Sequence, residues 1–159
     1  MADLVDDGMI KVAWAATIAN IHAPTAAELN AAKDFTARIT PDGLKTDPTT
    51  ASVDTSSLAS TFSTSGAGRR SFANELTFKR GDTPTDDLPY TTLAYQVQGY
   101  LVVRRGVAYA TNFTAGDIVE VYPSICGEPQ HVAPSPSTVG KLTVGMMNTA
   151  DPDTKALVA

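Results

Sequence analysis

The sequence predicts a mainly β domain: a β-sandwich or partly closed barrel of about seven strands with one or two short flanking helices. Three observations lead there. Several short stretches alternate apolar and polar residues with period two, the mark of half-buried strands. Turn residues separate them, with 11 glycines and 10 prolines spread along the 159-residue chain and marking the bends. Finally, 43% hydrophobic and 18% charged residues are globular proportions, in a chain of single-domain length able to bury about two-thirds of its unfolded surface.

Taken in order, residues 1–9 read as an N-terminal extension, 10–150 as the β domain with a long arm at 55–68, and 151–159 as a C-terminal extension. In the first strand Ile10, Val12, Trp14 and Ala16 share one face, with Trp14 in the core. Thr25 to Glu28 fits a capping box, in which the threonine hydroxyl accepts from the third amide while the glutamate reaches back. A short helix over 26–33 follows. Phe35, Ala37 and Ile39 alternate with Thr36, Arg38 and Thr40 as a competing strand reading, and Pro41-Asp42-Gly43 is turn chemistry. Ala51 and Val53 begin the next strand.

Residues 55–68 are nearly all Ser, Thr, Gly and Ala, uncharged, with Leu58 and Phe62 as the two large apolar side chains. Structureless connections beyond about 12 to 15 residues tend to be functional or disordered, so this arm asks for a partner. Gly66 to Arg70 reads as its hinge. From Arg70 to Arg80 the alternation is clean, with Phe72, Asn74, Leu76 and Phe78 on one face and Ala73, Glu75, Thr77 and Lys79 on the other. A polar loop then leads to a helix over 89–96, with Asp87 or Leu88 near its cap and Pro89 in its first turn. Residues 99–105, GYLVVRR, form the most β-like run and should be a central strand. Residues 117–125 and 139–148 supply two more, the latter with Leu142, Val144 and Met146 on one face.

Charge and composition exclude several functions. A net charge of −5 argues against gripping nucleic acid, which needs clustered Lys and Arg to neutralise phosphates. Cys126 is the single cysteine, so the fold needs no oxidising compartment. Asp3, Asp6 and Asp7 interrupt the basic and apolar regions a secretory signal would need, and no run is long and apolar enough to span a bilayer. A soluble protein made in the cytoplasm is expected.

No catalytic constellation emerges. His22 and His131 lack metal-binding spacing, Cys126 with His131 is two ligands short of a zinc site, and no serine sits in a nucleophile elbow. The sequence therefore predicts no enzyme, no metal and no cofactor. Gly66-Ala67-Gly68-Arg69-Arg70 lacks a Walker lysine and precedes a strand, which favours a hinge over an anion cradle. The cations Arg69, Arg70, Lys79, Arg80, Arg104 and Arg105 allow two readings. One is a nucleic-acid patch. The other, favoured by the acidic balance, is pairing at strand ends with Asp54, Glu75, Asp117 or Glu120, within the chain or across a subunit boundary. Glu75, Lys79, Arg80, Arg104 and Arg105 are accordingly candidate interface charges.

The order VDTSSLASTFST, a Gly-Arg hinge, RRSFANELTFKR, GYLVVRRG, DIVEVYPSICGEPQ and KLTVGMMNTADP, opened by HAPTAAELNAAKDFTARITPDGL, resembles the major tail tube proteins of long-tailed bacteriophages, especially those infecting actinobacteria. The resemblance spans roughly residues 11–153. It implies a tail-tube-like β fold whose subunits close into hexameric rings, stacked into a conduit for the genome in the virion tail. It further implies assembly in the host cytoplasm and contacts with tape-measure and tail-end proteins. A ring needs heterologous interfaces that close and a tube needs an axial one that stays open; an exposed sheet edge can serve as such a joint. Six chains of −5 carry about −30 per ring, which would let DNA slide without sticking, so no DNA binding is expected at physiological salt. Leu58, Phe62, Gly66, Gly68, Arg69 and Arg70 become the candidate intersubunit arm, and the terminal extensions candidate axial contacts.

Two readings of other classes stand beside this one. A carbohydrate-binding or adhesion module would use an aromatic platform drawn from Tyr90, Tyr95, Tyr100, Tyr109 and Tyr122. A small hydrolase would depend on His22 or His131.

Overall fold

A computed structural model describes residues 2–159. It is mainly β, with nine strands in one open antiparallel sheet and two short helices. In chain order these are β1 (Ile10–Ala15), α1 (Ala26–Ala31), β2 (Lys33–Asp34), a 3-10 turn (Thr36–Arg38), β3 (Ile39–Asp54), β4 (Ser65–Lys79), α2 (Leu88–Thr92), β5 (Gln98–Arg105), β6 (Ile118–Cys126), β7 (Gln130–His131), β8 (Lys141–Asn148) and β9 (Asp153–Leu157). The sheet order is β2-β1-β5-β6-β8-β4-β3, with β7 added to β8 and β9 to β6.

Alternation along the strands sorts apolar side chains into two cores. Val12, Trp14, Leu101, Val103 and Tyr122 meet Leu76, Phe78, Leu142, Val144 and Met146, so the β4 and β8 half of the sheet folds over the β1 and β5 half in a sandwich-like manner. The bend falls at β6 and β8, which pair only over Ser124 to Cys126. On the opposite face Ala13, Ala15, Val102, Val119 and Val121 are covered by Leu29 of α1, by Phe113, and by Ala156 and Val158. GYLVVRR is the central strand that its residues suggested, lying between β1 and β6. Gly99 lets it pack there, because a Cβ would come within 2.6 Å of the Trp14 ring.

Several elements match the sequence reading. Trp14 is 3% exposed in β1, and α1 carries the full capping box, with Glu28 taking the Thr25 amide and Thr25 Oγ1 taking the Glu28 amide. Phe72, Asn74, Leu76 and Phe78 do share the inner face of β4.

Other expectations are corrected. Pro41-Asp42-Gly43 does not turn the chain: β3 runs through it with an irregular register between Ile39 and Leu44. Residues 36–38 form a 3-10 turn rather than a strand. A 16-residue β3 containing Pro41 and Pro48 is tolerable because it is an edge strand, where a missing N–H need not break a ladder. Central β6 holds Pro123 for a related reason. Its carbonyl accepts from the Thr149 amide, and its absent N–H falls on that same edge, where β6 changes partner from β9 to β8. The helix expected over 89–96 is shorter, Leu88–Thr92, and Asp87 stands at its cap position without capping it. The expected C-terminal extension contributes β9, which pairs with β6 and buries Ala156 and Val158.

Candidate functional site

The arm is a β-ribbon. β4 is held by β8 only from Asn74 to Lys79, whereas its pairing with β3 continues outward to Asp54 and Ser65. Beyond Asn74 two strands therefore project alone. From Thr46 to Asp54, at about 3.3 Å per residue, that is about 26 Å of ribbon before the tip. Its strand residues are exposed on both faces, apart from partly covered Thr46, Phe72 and Gly68. An isolated two-stranded hairpin is marginal in water, and this one packs on nothing in its own domain past its base.

Gly66 and Gly68 are thus not a hinge in a flexible loop. Gly66 pairs with Val53 in the ladder, while Gly68 and Arg69 together face the single residue Ala51 in a bulge. A Cβ on Gly68 would sit 2.8 Å from the Val53 side chain and 3.1 Å from the Ala51 carbonyl, so glycine permits the close approach. The tip is stitched by its own hydroxyls. The Thr55 amide donates to the Thr64 carbonyl at 3.0 Å, the Thr64 amide to Ser56 Oγ at 2.9 Å, and the Ser57 amide to Ser60 Oγ at 2.9 Å. Leu58 and Phe62 point away from this scaffold, fully exposed and 79% exposed respectively. The hydroxyls keep the tip in water while the loop presents two apolar groups.

At the base, Arg70 donates to Asp151 Oδ1 at 2.7 Å and to the Pro152 carbonyl at 3.2 Å, tying the ribbon to the β8–β9 connection. Phe72 stands edge-on against Tyr122 with ring centroids 5.4 Å apart. Burial, reinforced by the hydrogen bond to Glu120, pushes the Tyr122 phenol well above its ordinary range, so a neutral ring meets Phe72 at the root of the ribbon. The ribbon is consequently fixed in direction at its root and free at its tip.

The remaining candidate charges divide. Arg104 is 1% exposed and paired with Asp117, which removes it from any interface. Arg105 pairs with Glu120 at 2.8 Å, so Asp117 and Glu120 are partners within the chain, as the strand-end reading allowed. Arg80 grips Asp87 through Nε and Nη2 and stacks over Tyr90 at 3.7 Å, fastening α2 to the end of β4. Glu75 meets Lys45 rather than an arginine, at 4.0 Å and half in solvent, where such a pair contributes little. Lys79 pairs its backbone with Lys141. None of the seven ion pairs among the described residues involves Arg69, which stands exposed on the ribbon. Alternation in the sequence could not separate these cases, because Arg104 and Arg105 look alike until the strand is placed.

The groups considered for catalysis also have places. Cys126 is buried, which pushes its thiol up to about 11, so it is a protonated core residue at neutral pH. His22 Nδ1 donates to the Asp153 carboxylate at 2.7 Å on the surface, and His131 lies by Tyr90. Of the tyrosines, Tyr122 is buried and Tyr90 lies under a guanidinium.

Two carboxylates make stability pH-dependent. Hydrogen bonds from Arg80 hold the Asp87 carboxyl below its ordinary range against the opposing effect of burial. Burial pushes Asp117 up, yet the Thr114 amide and Arg104 together outweigh it and leave the carboxyl lowered. Depressed carboxyls stabilise the fold fully above the ordinary value of about 3.9, and that contribution is lost as pH falls through their lower folded values. Thermal melts are expected to hold steady down to about pH 4 and to decline below it. In Asp87→Asn the decline should be shallower, as followed by circular dichroism.

Against protein families, the model for phage tail tube proteins matches residues 1–159. No curated protein matches the chain. An open β-sheet domain carrying an exposed, apolar-tipped ribbon is consistent with that match over its full length, and the chain belongs to the phage tail tube protein family.

Proposed function

We propose that copies of this chain close into six-membered rings and that the rings stack into the tail tube through which the genome leaves the virion. The family is structural rather than enzymatic and belongs to the phage tail. The observation that carries the finer reading is the ribbon. It extends about 26 Å past its last supporting strand and ends in Leu58 and Phe62, both exposed. Such a device costs stability in a monomer and returns it only on a neighbour, where each side chain would contribute about 1.5–3 kcal/mol on burial, before ordering costs.

Two further features support the reading. The outer edge of β3 is unpaired over a 16-residue strand, a liability in a lone protein and a joint in a ring. The opposite edge of the sheet is the two-residue β2, so a single sheet running unbroken from copy to copy has little edge to continue on. Ring closure then depends more on side chains than on a shared ladder, which leaves the ribbon for the contact between rings. The net charge of −5 suits a lumen over which DNA slides. Tape-measure and tail-end proteins would be the other partners, met during assembly in the host cytoplasm.

Negative-stain microscopy of concentrated protein tests this directly. Rings with six-fold symmetry and hollow tubes are the expected result; a protein that stays monomeric at high concentration would overturn it.

A further inference from the structure

The ribbon needs a receptor, and the fold offers one at its far end. A groove of about 570 Å3 opens where β3 begins, lined by Ile10, Ile39, Leu44 and Tyr109, with Asp6 and Asp7 on its rim. The first three are only partly buried and Tyr109 is 45% exposed, so the floor is apolar and reachable. The groove borders the start of β3, whereas Leu58 and Phe62 lie just past its end. From Leu44 to Asp54 the strand covers about 33 Å, too far for an arm to reach its own groove. A plug and a socket at opposite ends of one strand form a heterologous pair that cannot close on itself within a subunit. Repeated from ring to ring along one axis, such a pair generates an open-ended stack.

Charge agrees with shape. Arg69 lies four residues into β4, about 13 Å back along the ribbon from the tip, and it takes part in none of the ion pairs among the described residues. Asp6 and Asp7 are exposed and likewise take part in none among the described residues. Arg105 also lines the groove but is already paired with Glu120 at 2.8 Å, so a cation behind the apolar tip meets the two uncommitted anions of the groove. The other groove near the ribbon, between Arg70 and Met147, fits less well: Glu128 and Asp151 sit there with Arg70 already committed to Asp151.

We infer that the groove formed by Ile10, Ile39, Leu44 and Tyr109 receives the Leu58 and Phe62 tip of a second copy, with Arg69 of the incoming arm against Asp6 and Asp7. The inference rests on the assembly reading above and identifies the partner surface for the arm. Both apolar groups leave water in the groove, and the rim charges set direction and rate of docking.

Cysteine cross-linking separates the two levels. Ser63→Cys places a thiol beside Phe62 without removing it, and Ala37→Cys places one on an exposed position of the groove wall; native Cys126 is buried and stays out of the reaction. In assembled tubes of the double variant, mild oxidation should yield a ladder of covalent oligomers on a denaturing gel. A mixture of the two single variants should stop at dimers. Tubes visible by microscopy without a ladder would overturn the groove assignment alone, as would a ladder that appears with Met147→Cys in place of Ala37→Cys. If the unmodified chain forms no tubes, the assembly reading and the groove fall together. Charge reversal adds a second readout. Arg69→Glu should raise the critical concentration for assembly about tenfold, and adding Asp6→Lys with Asp7→Lys should restore it. Failure of the reversed pair to recover assembly counts against the rim contact.

Discussion

Leu58→Asp combined with Phe62→Asp should leave a folded monomer that forms no tubes. Both side chains lie on a loop held by hydroxyls and main chain, and neither touches either core. The substitutions therefore remove no native packing within the subunit, and surface changes of this kind usually stay within about 0.5 kcal/mol. Assembly is another matter. Each contact loses about 1.5–3 kcal/mol of apolar burial and gains a desolvated carboxylate. Because each subunit repeats the contact, even the low end of that range shifts the equilibrium by orders of magnitude. Circular dichroism should show an unchanged melt, while microscopy and sedimentation show loss of polymer. Intact tubes from the double variant would exclude the arm as an essential joint.

The largest effect on the subunit itself should come from Arg104→Ala. This guanidinium is almost wholly buried and holds the connection between β5 and β6 together. Nη1 donates to the Asn112 carbonyl at 3.0 Å and to Asp117 at 3.1 Å, and Nη2 donates to the carbonyls of Ala108 and Thr111 at 3.1 and 2.7 Å. Its plane also lies 4.9 Å from the Phe113 ring. Truncation would strand three carbonyls and a carboxylate with a neutral cavity between them. Breaking a buried pair in this way costs about 3–5 kcal/mol, which for a domain of this size lowers the melting temperature on the order of 10 °C. Arg104→Lys should recover only part of it, since one ammonium cannot present a planar fork to four acceptors. A calorimetric melt that matches the native protein would show the network to be dispensable. The same connection carries Tyr109, so a partly unfolded connection should weaken docking of the arm as well.

Much of the fold was legible because it obeys local rules. Period-two alternation located β4 and β8, each of which buries one row of side chains, and a continuous β-branched run located β5, which is buried on both faces. The Thr25 and Glu28 capping box located α1, since its hydrogen bonds are made within four residues. The readings that failed lie where tertiary context overrides local chemistry. Pro41-Asp42-Gly43 has turn residues, yet β3 passes through as an irregular edge strand because β4 holds it on one side only. Asp87 has the chemistry and position of a helix cap, but a bidentate arginine competes for its carboxylate and wins. The last residues read as an extension outside the domain, and they become β9 because the edge of β6 beside its short pairing with β8 is open to them.

For the site, composition alone singled out an uncharged arm with two apolar residues and no internal reason for them. Leu58 and Phe62 were identifiable because an apolar side chain among serines and threonines is conspicuous without any fold. What the arm is made of was not readable. Small polar residues carry no hydrophobic alternation, so a two-sided exposed ribbon has the same sequence signature as a flexible loop. Only strand pairing reveals that Gly66 to Arg70 belongs to a ladder with a bulge at Gly68 rather than to a hinge. Nor does any local pattern tell Arg104 from Arg105, although one is buried in a carbonyl cage and the other sits at the surface. By itself, the sequence determined the fold class, the strand faces and the position of the arm's apolar tip, because these depend on side-chain periodicity and composition. Tertiary structure decided that the arm is rigid at its root, which cations are paired, and that an apolar groove opens at the opposite end of β3, because each depends on residues distant in sequence being brought together by the register of the sheet.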